Sequence, residues 1–157
     1  MKNGAKKGDV LALILPNVPE FVFVFTGAPL AGIVVTTISP SMKAYEIGNQ
    51  LASSGANWVV TDMKAYPEVT AAVKKLEGDR TVGGKGRIRL VIDLKPGEDS
   101  PPDTIPLSSM MSTEDDGDIT VPEVQVKWQE EVVVIPYSSG TTGPPKGVEL
   151  THKYVKL

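Results

Sequence analysis

Cysteine is absent from the 157 residues, and histidine occurs once, at His152. The first absence excludes disulfides, thiolate metal sites and a cysteine nucleophile, and it is compatible with a cytoplasmic protein. The second excludes a metal site built from several imidazoles. Charge of one sign is not in excess either. A formal net charge of -3 gives no electrostatic footprint for nucleic acid. Long hydrophobic runs are missing, so no segment reaches the roughly 20 apolar residues of a transmembrane helix. Residues 1–9 are polar and basic where a secretory signal would carry its apolar region. What is present is ordinary for a soluble globular chain, at 41% hydrophobic and 22% charged, and suffices for one domain with a core.

Along the chain, strand and helix patterns alternate. Val10–Leu15 is a continuous apolar run, the pattern of a strand buried on both faces. Pro16-Asn17 stops it, and Asn17 is placed to cap a helix with Pro19 and Glu20 in its first turn. That helix runs to Leu30, with Phe21, Phe25 and Ala28 on a side expected to pack on the sheet and Pro29 expected to end or kink it. Ile33–Ile38 reads as a strand and Ala44–Ser54 as a helix closed by Gly55 at C′. Trp58–Thr61, Glu68–Leu76 and Arg89–Ile92 continue as strand, helix, strand. The alternation predicts a parallel sheet flanked by helices. Lys95–Pro122, with five prolines and the acidic residues Glu114, Asp115, Asp116 and Asp118, reads as a long solvated connection with one short helical turn at most. Glu130–Pro136 is then a buried strand, and Gly147–Leu150 the return strand of a hairpin. Thr151 is a good N-cap for a further helix, with His152 in its first turn.

The chemistry concentrates between those last two strands. Tyr137-Ser138-Ser139-Gly140-Thr141-Thr142-Gly143-Pro144-Pro145-Lys146-Gly147 is too polar for a core and too particular for a linker. Glycines let a backbone approach a ligand closely, and successive N–H groups in such a bend form an anion-binding nest. Hydroxyls at Ser138, Ser139, Thr141 and Thr142 add donors that rotate to fit oxygen, and Lys146 adds a point charge. A polyphosphate matches all of these. The plain alternative is a solvated hairpin loop whose Gly and Pro serve turn geometry alone. A Walker A loop is disfavoured, because Pro145 stands where that motif needs Gly and Gly147 where it needs Ser or Thr. No glycine triplet follows the first strand to suggest a dinucleotide fold.

Residues Tyr137 to Lys153 resemble the phosphate-loop signature of the adenylate-forming (AMP-binding) enzymes, and the form Tyr-Ser-Ser-Gly-Thr-Thr is most similar to the 4-coumarate–CoA ligase branch. The departures are Pro144, where Leu is usual, and Glu149, where Met is common. Gly8 to Phe21 and Pro40 to Leu51 are also similar to the early part of the ligase N-terminal domain, while residues 78–121 match weakly. The resemblance implies an α/β fold: residues 1–157 as one partial N-terminal domain, mainly parallel sheet with flanking helices and a terminal hairpin carrying the phosphate loop. The small C-terminal domain would be absent.

It also implies ATP-dependent adenylation of a carboxylic acid, a hydroxycinnamate such as 4-coumarate in this branch, followed by thioester formation with coenzyme A. Carried over position by position, Ser138, Ser139, Gly140, Thr141, Thr142, Gly143 and Lys146 would hold the ATP phosphates, and Thr141 would place its hydroxyl on Mg2+. The family's remaining catalytic parts lie downstream of residue 157, and both termini read as cut from a larger fold. Two functions therefore stay open. One is a partial acid–thiol ligase with little turnover by itself. The other is a non-catalytic module that binds a nucleotide or phosphate, or pairs with a chain supplying the missing domain. Neither needs a nucleic acid or a membrane span.

Overall fold

The computed structural model describes residues 3–78, 88–111, 124–138 and 145–155. Its centre is a seven-stranded sheet in the order β5-β4-β3-β1-β2-β6-β9. The strands are β1 (Val10–Ile14), β2 (Val34–Thr37), β3 (Trp58–Asp62), β4 (Arg89–Asp93), β5 (Thr104–Pro106), β6 (Val132–Val134) and β9 (Leu150–Thr151). Every neighbouring pair is parallel except β6 with β9. A separate two-stranded hairpin joins β7 (Tyr137–Ser138) to β8 (Lys146–Gly147).

Alternation along the strands sends side chains to two cores. On one face Leu11, Leu13, Val35, Trp58, Val60 and Val91 meet Phe21, Val24, Phe25 and Ala28 of α1 (Pro19–Leu30). On the other, Ala12, Ile14 and Val59 meet Ile47 and Leu51 of α2 (Ala44–Ser54) and Val69, Ala72 and Val73 of α3 (Tyr66–Gly78). Strands buried on both faces need apolar runs, which β1 has throughout and β3 has over Trp58, Val59 and Val60. The Phe21 and Phe25 rings stack with centroids 5.9 Å apart, so the aromatic stripe of α1 is core packing as expected.

Several local expectations are corrected. Val18, not Asn17, is the N-cap of α1, and no side chain caps it. The residue before a proline favours extended backbone, so Val18 (φ -122, ψ 159) stays out of the helix that Pro19 opens. Pro29 lies inside α1, and the helix closes one residue later, at Leu30. The connection after β4 carries the expected short helical turn and, beyond expectation, a strand. It contributes β5, paired with Leu90, Val91 and Ile92, and a 3-10 turn over Leu107–Met110. Strand β6 is three residues long because Glu130 and Glu131 are drawn into a turn, their N–H groups donating to the Lys127 carbonyl.

The expected return strand Gly147–Leu150 is divided. Lys146–Gly147 closes the hairpin, Val148 donates to the Pro136 carbonyl, and Leu150–Thr151 crosses to pair with β6. Thr151 is thus a strand residue, and its carbonyl accepts from Tyr154 and Val155 at the end of a turn that contains His152. Gly55 does take the left-handed C-cap conformation, at φ 68, that ends α2. Among the described residues no helix is long and apolar enough to cross a membrane.

Candidate functional site

Parallel α/β sheets bind ligands beyond the carboxyl ends of their strands. Strand β6 runs parallel to β2, so its carboxyl end delivers Tyr137 to that edge. The β7–β8 hairpin then sets Ser138 directly opposite Lys146 and Tyr137 opposite Gly147. The two described members of the sequence-predicted site are therefore brought together as a cross-strand pair. Both are exposed. Among the described residues Lys146 forms no ion pair, which leaves its ammonium open to an anion. Ser139, Gly140, Thr141, Thr142 and Gly143 lie outside the described residues.

The hairpin stem is fixed from α2. Ile135 donates its N–H to the Val35 carbonyl at 2.8 Å. Its own carbonyl accepts from the Thr36 hydroxyl at 2.7 Å. The Gln50 amide on α2 donates to that hydroxyl oxygen at 3.2 Å and to the Thr37 carbonyl at 3.0 Å. Thr36 and Gln50 are both buried, so each polar atom in this chain needs its partner. Two residues further along the stem, the Tyr137 hydroxyl is hydrogen-bonded to Ser53, also on α2. Sequence reasoning missed Thr36, Gln50 and Ser53, since polar residues on a strand and a helix carry no local mark of what they hold.

Charge is distributed unevenly between the two edges of the sheet. At the carboxyl edge Asp62 and Asp93 are register partners on β3 and β4. Burial, then the neighbouring carboxylates of Glu20, Asp62 and Glu98, push the Asp93 carboxyl above its usual range. At the opposite edge burial would also raise Asp9. The Asn57 amide, the Lys6 N–H and the Trp58 indole outweigh it, donating at 2.8, 2.8 and 3.1 Å, and hold Asp9 low. Arg89 stacks 5.1 Å over the Trp58 ring beside them. These groups line a cavity of about 650 Å³ together with Lys6 and Ile105. The Asn57 amide and Trp58 indole both donate to Asp9 within it, and it opens at the amino ends of the strands, away from Ser138 and Lys146.

A mainly parallel α/β sheet that carries the phosphate-loop signature on a hairpin at its carboxyl edge belongs with proteins whose ligands sit at the strand ends. The chain belongs to the AMP-binding enzyme family, which matches residues 1–156. A 4-coumarate–CoA ligase of Pinus taeda is 39% identical over 152 residues, covering 97% of this chain and 25% of that protein. A 4-coumarate–CoA ligase of Petroselinum crispum is 36% identical over 154 residues, with 97% and 25% covered. Among solved structures, the Brucella canis acyl-CoA synthetase superposes with a TM-score of 0.74 at 25% identity, covering 97% of this chain and 25% of that one. This chain thus spans about a quarter of the length of the relatives it matches. The expected fold class stands: a mainly parallel sheet with flanking helices and a hairpin bearing the loop, shared with the early part of acyl-CoA synthetases.

Proposed function

We propose that residues 1–157 are one part of a larger nucleotide-binding domain and supply the triphosphate grip of an ATP-dependent acid–thiol ligase acting on a hydroxycinnamate such as 4-coumarate. The observation that carries the reading is the Ser138–Lys146 cross-strand pair at the carboxyl edge of the sheet, in a chain of the AMP-binding enzyme family. In that reaction the substrate carboxylate attacks the α-phosphorus of ATP, the bond to pyrophosphate breaks, and the coenzyme A thiol then displaces AMP from the acyl carbonyl. This chain's share is electrostatic. Lys146 neutralises phosphate charge, the hydroxyls of Ser138, Ser139, Thr141 and Thr142 donate to phosphate oxygens, and Gly140 and Gly143 let the backbone come close. Holding the triphosphate still supplies much of the rate in such transfers.

The donor set fits Mg2+ only as a partner of bound phosphate. Among the described residues no group of three or more His, Cys, Asp or Glu side chains could hold a metal. Mg2+ is commonly held by one or two protein groups plus substrate phosphates, and Thr141 is the hydroxyl assigned to it here. When bound, the ion would offset charge on the phosphates.

Equilibrium dialysis of the chain against MgATP tests the reading. Lys146→Ala is expected to weaken binding about tenfold or more, the scale of a hydrogen bond to a charged group. Unchanged binding in that variant would remove Lys146 from the site. A nucleotide-binding module without turnover is the second reading. Pyrophosphate exchange with ATP and a hydroxycinnamate separates the two: binding without exchange supports the module, and exchange supports the ligase.

A further inference from the structure

Helix α2 is tied to the hairpin stem twice, at points one helical turn apart. Gln50 reaches Ile135 through the Thr36 hydroxyl, and Ser53 reaches Tyr137 directly. Residues three apart on a helix share a face. The adjoining side of α2 is anchored by Ile47 and Leu51, both essentially inaccessible, in the core shared with α3 and the sheet. The helix is therefore a rigid platform, and the stem hangs from it at Ile135, just past β6, and at Tyr137, the first residue of β7.

The second arm is captured by the first. Gly147 sits between the Ile135 and Tyr137 side chains, and a Cβ placed on it would come within 2.9 Å of Ile135 Cγ2 and 3.1 Å of the Tyr137 ring. Any movement of the Tyr137 ring is thus passed to Gly147 and to its neighbour Lys146. The direction of the outer bond follows from its surroundings. Ser53 Oγ donates to the Gln50 carbonyl at 3.3 Å, which leaves its lone pairs to accept from the Tyr137 O–H. Two sets of bonds thus meet at Gln50: its carbonyl accepts from Ser53, which holds Tyr137, and its side-chain amide donates to Thr36, which holds Ile135.

We propose that Gln50, Ser53 and Tyr137 are positioning residues for the nucleotide, setting the separation and aim of Ser138 and Lys146 without touching phosphate themselves. The inference rests on the phosphate-binding reading of the hairpin. Its physical basis is preorganisation: donors for a phosphate must be held to a fraction of an ångström, and an exposed two-residue ladder cannot do that alone. The buried Thr36 and Gln50 bonds can, because each alternative geometry strands a donor or acceptor, and the exposed Ser53–Tyr137 bond carries that restraint out to the hairpin. A purely stabilising role for the same bonds makes a different forecast. It would lower the melting temperature and leave affinity for nucleotide intact.

The test uses the full 157-residue chain and MgATP. Ser53→Ala improves helix propensity and sits at the partly exposed end of α2, so the variant is expected to fold. Ser53→Ala and Tyr137→Phe should each weaken MgATP binding about three- to tenfold, in line with the loss of one hydrogen bond. The double variant should be no weaker than the worse single one, because both remove the same contact. Ser53→Thr, which keeps the hydroxyl, should return affinity to within about twofold of the parent. Melting temperatures should stay within a few degrees throughout. Unchanged affinity in Ser53→Ala and Tyr137→Phe, with affinity lost in Lys146→Ala, would overturn the inference and leave the phosphate reading standing. A parent chain that does not bind MgATP, or a Lys146→Ala variant that binds as the parent does, would overturn both.

Discussion

The Tyr137 ring lies against the Cα of Gly147, its Cε2 and Cζ atoms both 3.1 Å from where a Cβ would stand. Glycine at 147 is thus demanded by a side chain on the facing strand. Gly147→Ala is expected to push the two arms of the hairpin apart, at the cost of about 1–3 kcal/mol typical of overpacking. The Val148 N–H, which donates to the Pro136 carbonyl, reports the opening. Its amide exchange should accelerate by at least about fivefold, since 1 kcal/mol is that factor at room temperature.

The core of the helical face offers a second measurement. Ile47 is fully buried between the sheet and α3. Ile47→Ala leaves a cavity that a close-packed interior refills poorly, and should lower unfolding free energy by about 2–5 kcal/mol in urea titration. A loss below about 1 kcal/mol would mean that α2 is not the anchored platform described above.

Asp9 predicts the acid limb of the stability curve. Its carboxyl is held below the ordinary 3.8 in the folded chain, so the unfolded chain binds its proton first as pH falls. The stabilisation is fully present above the unfolded value, and it is lost as pH drops through the lower folded value. Asp9→Asn should therefore lower the urea midpoint at neutral pH and flatten its decline through the carboxylate range. An unaltered acid slope would show that the Asn57, Lys6 and Trp58 donors do not act on Asp9 as a charged acceptor.

Asp93 carries the opposite sign. Burial and the Glu20, Asp62 and Glu98 carboxylates raise it, so the folded chain holds its proton more tightly than the unfolded chain does. Asp93 then costs stability at neutral pH, and the cost disappears as pH falls through its raised folded value to the unfolded one. Asp93→Asn should raise the melting temperature at pH 7, and the gain should shrink on acidification. A melting temperature that falls at pH 7 would mean that the carboxylate serves as a needed acceptor there.

What could be read from the chain alone follows a physical divide. Helix α2 was legible to its end residues, because its apolar spacing and the left-handed Gly55 are local properties. The cap on its first turn was not. The Glu68 carboxylate reaches over from α3 to accept from the Ala44 N–H at 2.8 Å, and no sequence spacing records that approach. Strand β5 was missed for a similar reason. Three residues ending in Pro106 carry no strand signal of their own, and they extend only because the β4 edge offers Leu90, Val91 and Ile92 as partners. At the candidate site the loop residues announced themselves by composition, so Ser138 and Lys146 could be named. That they face each other depends on where β8 stops and β9 begins, a division fixed by the Val148–Pro136 hydrogen bond. The Thr36, Gln50 and Ser53 supports depend on tertiary neighbours throughout.

The Thr36–Ile135 hydrogen bond joins positions 99 residues apart, and three strands, β3, β4 and β5, come between β2 and β6 in the chain. Strands β1 to β4 can assemble through short crossovers, each closing a modest length of chain. The β2–β6 pairing must close the longest one, and contacts of that kind form late. The hairpin is therefore expected to arrive last during folding and to detach first when the chain opens. A brief exposure to protease should remove the segment after residue 124 while the β1–β4 unit still resists, which would make the grip the most perishable part of the molecule.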